Sequence, residues 1–129
     1  MILLDTNVLI EILDKESSEG DRLLKALSEG GEDVGTTSIN MHELLYGLKK
    51  YAKSVEKVGR LRVLPYEKED AEVSSRLELM AERRGRPVRR IDTMIAAVAI
   101  NRSARLSTLD SRHFEQFTQD GLHLFSAGP

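Results

Sequence analysis

The sequence predicts a single α/β domain spanning residues 1–129, with a parallel sheet covered by helices on both faces. Three observations carry this. Short apolar runs of strand length alternate with segments of helical period, the pattern of a parallel sheet with crossover helices. A chain of 129 residues has room for one such domain and buries enough surface to need no staple. There is no Cys, which removes disulfides, cysteine nucleophiles and thiolate metal sites from consideration.

The elements follow in order. Met1 to Leu4 is an apolar strand ending at Asp5. Thr6 and Asn7 are good capping types, and Val8, Leu9, Ile12 and Leu13 recur at helical spacing after them. A second helix starts near Ser17 or Ser18 and stops at Gly30-Gly31. Val34 to Thr37 is a strand, and Ser38 opens a helix carrying Met41, Leu44, Leu45 and Leu48. Lys49 to Gly59 is expected to form a further helix, and Leu61 to Leu64 a strand stopped by Pro65. Glu67 to Arg84 is the longest helix, acidic in its first turn, basic in its last and closed by Gly85. Val88 to Ile91 leads into an apolar helix from Asp92 to about Asn101, kept slim by Ala96, Ala97 and Ala99. Arg105 to Thr108, Ser111 to Phe117 and Leu122 to Phe125 complete the chain as strand, short helix and strand.

Composition narrows the function. The longest strictly apolar run, Met94 to Ile100, falls far short of the roughly 20 residues of a membrane helix. No basic lead or cleavage pattern precedes Asp5, so the expected location is cytoplasmic. Net charge is −2, but it is unevenly spread. Residues 1–48 hold 10 acidic against 3 basic side chains, and residues 49–129 hold 11 against 16. The basic excess gathers at Lys49 to Arg62 and at Arg83, Arg84, Arg86, Arg89 and Arg90. Such stretches suit phosphates, and they equally suit solvated helix faces and helix C-termini.

Four acids stand apart from the helix surfaces. Asp5 ends the first strand, Asp110 follows the strand ending at Thr108, Asp92 opens the slim helix, and Glu43 lies in the first turns of the helix after the second strand. In a parallel sheet all four come to its C-terminal edge, where ligands gather. Carboxylates about 5 Å apart repel by roughly 3 kcal/mol per pair at an effective dielectric near 20. An oxygen-only set of this kind suits Mg²⁺ or Mn²⁺, ions that hold phosphate oxygens and acidify water. Taken singly, each acid also has a plain structural reading: Asp5 and Asp92 as helix caps, Asp110 as a turn acid, Glu43 as a partner of the helix dipole.

Leu4-Asp-Thr-Asn-Val-Leu-Ile10 resembles the opening motif of PIN-domain ribonucleases. Ser38 to Gly47 is similar to their second motif, Gly85-Arg-Pro-Val with Ile91 to Ala97 to the third, and Thr108 to Phe114 to the fourth. The four occur in order over nearly the whole chain, and the length resembles the VapC-type toxins. The resemblance implies a three-layer α/β/α fold around a five-stranded parallel sheet. It implies Mg²⁺ or Mn²⁺ on Asp5, Glu43, Asp92 and Asp110, with the Thr108 hydroxyl near the metal; of these the expected principal ligands are Asp5 and Asp92, with Asn7 and Thr108 orienting ligands or waters. It further implies an endoribonuclease, usually a homodimer, restrained by a cognate antitoxin. The alternative is a catalytically silent PIN-like module that binds RNA or a partner.

Arginines 83 to 90 are the expected RNA grip, because the chain has only three Phe, three Tyr and no Trp for base stacking. Tyr46 and Tyr51 fit half-buried packing, Phe114 and Phe117 the core, and His42 and His113 no catalytic role. A phosphoacceptor receiver domain needs a late Lys, and none follows Lys68; a haloacid-type phosphatase needs an acid where Asn7 stands. The leucines of the N-terminal helices suit the core, and some suit a groove for an amphipathic antitoxin helix.

Overall fold

Ile2–Leu4 (β1) lies at the centre of a five-stranded sheet, flanked by Val34–Thr37 (β2) and Arg105–Ser107 (β4). Val63–Leu64 (β3) pairs outside β2 and His123–Leu124 (β5) outside β4, giving the order β3-β2-β1-β4-β5 with every pairing parallel. The computed structural model describes residues 1–126, so the last three residues of the expected 1–129 unit lie outside the described residues. The strands are shorter than the sequence predicts: Thr108 falls beyond β4, and Leu122 and Phe125 flank β5.

Alternation along β1 separates two cores. Leu3 packs with Leu77, Ala81, Ile95, Val98 and Phe117 beneath Lys68–Arg83 (α4) and Arg90–Asn101 (α5). Ile2 and Leu4 turn to the opposite face, against Val8, Leu9, Leu23, Leu44 and Val58. That second layer is Thr6–Leu9 (α1), Ser18–Gly30 (α2) and Ser38–Lys50 (α3). The period of two in a strand thus produces the three layers. Ala96, Ala97 and Ala99 are fully buried, as a slim α5 requires, and Phe114 and Phe117 are core.

Helix α1 passes directly into a π-helical stretch, Ile10–Lys15. Ser17 then caps α2 by accepting from Gly20 N and donates its hydroxyl hydrogen to Glu11. At Gly20 a Cβ would stand 2.3 Å from the Glu11 carbonyl oxygen, so only glycine allows the two segments to meet.

Two element boundaries differ from expectation. No helix runs from Lys49 to Gly59: α3 stops at Lys50, and only Glu56–Arg60 regains a turn, of 3₁₀ type. Ala52 takes φ +54°, and Ala52 N and Lys53 N donate back to Lys49 O and Leu48 O, closing α3 as a Schellman motif. Helix α4 closes in the same way at Gly85, the expected stop, with φ +70°. Helix α5 begins at Arg90, so Asp92 occupies its first turn and Arg89 is the N-cap.

Strand order reverses at β1: the chain runs outward through β2 and β3, then returns to β1's other side as β4. The C-terminal ends of β1 and β4 therefore border a crevice, the place where parallel sheets hold ligands.

Candidate functional site

Asp5 leaves β1 at that crevice, buried at 7 % exposure. It is the N-cap of α1, with Oδ1 accepting from Thr6 N at 2.9 Å, so the capping reading and the site reading describe one side chain. Oδ1 also accepts from Asn40 Nδ2 at 2.9 Å, and Oδ2 from the Thr108 hydroxyl at 2.7 Å. Burial pushes the Asp5 carboxyl above its ordinary value, and the charge of Asp92 adds to the rise. The donors Thr108, Thr6 N and Asn40 oppose it without cancelling it.

Glu43 reaches the same place from α3. Its Oε1 accepts from the Thr6 hydroxyl at 2.8 Å, while Thr6 Oγ1 accepts from Asn40 Nδ2 at 3.0 Å. Asn40 is itself fixed by Thr37, whose hydroxyl donates to Asn40 Oδ1 at 2.7 Å. Asn7 secures the other wall, accepting from Leu109 N at 3.1 Å and donating to Thr108 Oγ1 at 3.4 Å. Asp110 N donates to the same Thr108 oxygen at 3.1 Å.

Asp92 is 2 % exposed and lies where the first turn of α5 favours a negative charge. Arg89 grips it through Nη2 at 3.1 Å and Nε at 3.4 Å. His113 Nδ1 is 3.7 Å from Asp92 and 2.9 Å from Asp110, whose side chain is half exposed. The structure therefore brings Asp5, Glu43 and Asp92 to one crevice and sets Asp110 at its rim, tied in through Thr108 and His113.

Each carboxylate is drawn to a separate partner: Glu43 to Thr6, Asp92 to Arg89, Asp110 to His113. Among the described residues no three His, Asp or Glu side chains stand together as a ready cation cage. The donors nevertheless suit a hard divalent ion in kind, being carboxylate oxygens whose mutual repulsion already perturbs Asp5.

The arginines divide. Arg84 differs from the other arginines of the expected RNA grip: its guanidinium bonds Gln116 O and pairs with Asp120 at 3.3 Å, clamping α4 to the segment Glu115–Asp120. Arg90 pairs with Glu78 on the surface, Arg89 covers the acids, and Arg83 and Arg86 are exposed. Tyr46 and Tyr51 also depart from expectation. They are 63 % and 69 % exposed, and Lys50 Nζ lies 5.9 Å from both rings.

Sequence reasoning missed Asn40 and the link from Thr6 to Glu43. The available signal was Asn40 one helical turn before Glu43, on the same face of α3. It also gave His113 no place beside the acids.

The model of the PIN domain family matches residues 2–119. This chain is a PIN-domain protein. It is 31 % identical over 122 residues to the tRNA(fMet)-specific endonuclease VapC of Shigella flexneri, covering 88 % of this PIN-domain chain and 89 % of that one. The solved VapBC2 of Rickettsia felis, bound to a promoter DNA fragment, superposes with a TM-score of 0.81 at 24 % identity, covering 97 % and 98 % of the two chains. DNA-bound VapBC of Salmonella typhimurium gives 0.79 at 26 %, with 98 % of each covered. FitAcB of Neisseria gonorrhoeae gives 0.76 at 27 %, again over 98 % of both. The PIN-domain chain is thus of VapC type in sequence and fold, and its described residues include no helix long and apolar enough to cross a membrane.

Proposed function

We propose that this protein is a divalent-metal-dependent endoribonuclease and the toxin of a toxin–antitoxin pair. The observation that supports this most is the bonded set around Asp5, which ties β1, α3 and the loop after β4 into one acidic crevice. Asp5 and Asp92 are the principal ligands in this reading, completed by Glu43 and Asp110, with Mg²⁺ or Mn²⁺ as the ion. Held by these carboxylates, such an ion would supply positive charge for phosphoryl oxygens and lower the pKa of a bound water. The chain's own residues do the rest. Thr108, Thr6 and Asn40 hold Asp5 in one orientation, and Asn7 keeps the loop carrying Asp110 against it. Exposed Arg83 and Arg86, with Arg89 and Arg90, hold the RNA backbone. Tyr46, one helical turn beyond Glu43, offers a face for a base.

The S. flexneri relative is named for action on tRNA(fMet), and a solved neighbour 27 % identical, VapBC-5 of Mycobacterium tuberculosis, is named as a member of a family of toxin–antitoxin systems. Both support an RNA substrate and a protein partner here. An open apolar groove of about 550 Å³, lined by Leu9, Ile12, Leu13, Leu24 and Leu27 among others, gives such a partner's helix a seat. The homodimer is part of the same proposal.

The direct test is cleavage of single-stranded and structured RNA with Mg²⁺ or Mn²⁺. Wild-type protein is expected to cut and to stop in EDTA, and Asp5→Asn and Asp92→Asn to be inactive yet folded. Full activity in both variants ends the assignment. Retained RNA binding with no cleavage under any divalent ion leaves the silent module.

A further inference from the structure

Two adjacent arginines at the start of α5 behave differently. Arg90 turns outward to Glu78 and lies on the surface. Arg89 turns inward over the acids and forks onto Asp92, although its own side chain is 64 % exposed and Asp92's only 2 %. The negative charges of Asp92, Glu43 and Asp5 all act on this one guanidinium. Its carbonyl oxygen accepts from Asp92 N at 3.0 Å, which anchors the backbone at the start of α5. Arg89 also lines a cleft of about 380 Å³ together with Pro87, Val88 and His113. A planar, permanently charged fork suits either neighbour, carboxylate or phosphodiester.

We propose that Arg89 is an exchangeable counter-ion of the acidic crevice: it neutralises Asp92 until a divalent cation takes that carboxylate, and then holds the substrate's phosphodiester in the Pro87–His113 cleft. The inference rests on the reading of the acids as a divalent-cation site. It assigns Arg89 two successive partners, so removing its charge has opposite effects on two binding events. Cation binding tightens, because a competitor is gone. RNA binding weakens, because a phosphate has lost its counter-charge.

The test is Mn²⁺ titration of the full chain by calorimetry, comparing wild type, Arg89→Gln and Arg89→Lys. Anisotropy of a labelled single-stranded oligoribonucleotide in Ca²⁺ is measured alongside. Arg89→Gln is expected to bind Mn²⁺ roughly two- to fivefold more tightly, the worth of removing one partly exposed charge pair. The same variant is expected to bind the oligonucleotide roughly tenfold more weakly, the worth of one charge-assisted bond to phosphate. Arg89→Lys, which keeps the charge and loses the fork, is expected to restore the wild-type Mn²⁺ affinity and only part of the RNA affinity. Circular dichroism melts confirm that the variants fold, as the exposed side chain predicts. If wild type binds Mn²⁺ and Arg89→Gln binds it no more tightly, the exchange is wrong while the metal site stands. If wild type binds no Mn²⁺, both fall. Unchanged RNA affinity in Arg89→Gln overturns the second half.

Discussion

The Thr108 hydroxyl donates to Asp5 Oδ2 at 2.7 Å, joining two residues 103 positions apart at the ends of β1 and β4. The same hydroxyl oxygen accepts from Asp110 N, so one small side chain fixes one acid and aims the loop of another. Thr108→Val keeps the shape and removes both bonds.

Its consequence is legible in a pH profile. Burial already holds the Asp5 carboxyl above its ordinary value, and Thr108 is the strongest influence lowering it. In the proposed function Asp5 acts ionised, so activity is expected to fall as pH drops through the raised value. Thr108→Val moves that acid limb to higher pH and costs about 1–2 kcal/mol of stability in urea unfolding. Thr108→Ser restores both. Stability carries the opposite sign: Asp5's contribution is fully present below its unfolded value and is lost as pH rises through the folded one.

Asp70 is the contrasting carboxylate. It is fully buried, and burial alone raises its pKa, but Asn101, Glu67 N and Arg102 together hold the net value below the ordinary one. It ties the start of α4 to the end of α5. Its stabilisation is present above the unfolded value and is lost as pH falls through the depressed folded one. Asp70→Ala is expected to cost about 3 kcal/mol, because Arg102, Asn101 and Glu67 N lose their shared partner. Urea midpoints measure the loss, and divalent-ion cleavage at low temperature is expected to survive in the folded fraction.

Arg84 and its neighbours separate structure from RNA binding. Arg84→Ala removes the clamp onto Gln116 and Asp120 and is expected to lower stability by about 1–2 kcal/mol, leaving RNA affinity unchanged. The double change Arg83→Ala with Arg86→Ala is expected to leave melting unchanged and to weaken RNA binding. The salt slope should fall by about 0.7 for each phosphate left without its arginine, as for single strands. Anisotropy across a salt series distinguishes the two.

Ala52 stores local strain, since φ +54° places its Cβ against the carbonyl oxygen that follows. Ala52→Gly removes that clash at some cost in unfolded-state entropy, so a net gain of about 0.5 kcal/mol is expected in thermal or urea unfolding. The same position explains why the end of α3 was hidden. The closing motif at Gly85 is written in the sequence by its glycine, whereas Ala52 and Ser103 adopt the same left-handed conformation without one. A hydrogen-bonding pattern formed with an ordinary residue leaves no local signature.

The layers, the strand order's parallel character and the crevice were legible because period-two apolar runs alternate with helical ones. The positions of Asp5 and Glu43 followed from strand and helix ends. Partner choice was hidden. Thr6, read as a capping residue, bonds Glu43, and Arg89, read as part of a basic stretch, covers Asp92. Both choices depend on which helices meet across the sheet, and sequence spacing does not state that. The Arg84 clamp was hidden for the same reason: basic character along the chain does not distinguish a clamp from a free cation.

The central claim is that Asp5 and Asp92 share a divalent cation at the ends of β1 and α5. Crystals soaked in Mn²⁺ and measured near the manganese absorption edge test it most directly. An anomalous peak beside the Asp5 and Asp92 carboxylates is expected, with the Arg89 guanidinium moved off Asp92. Density without such a peak at high Mn²⁺ concentration, or a peak only at unrelated surface acids, contradicts it.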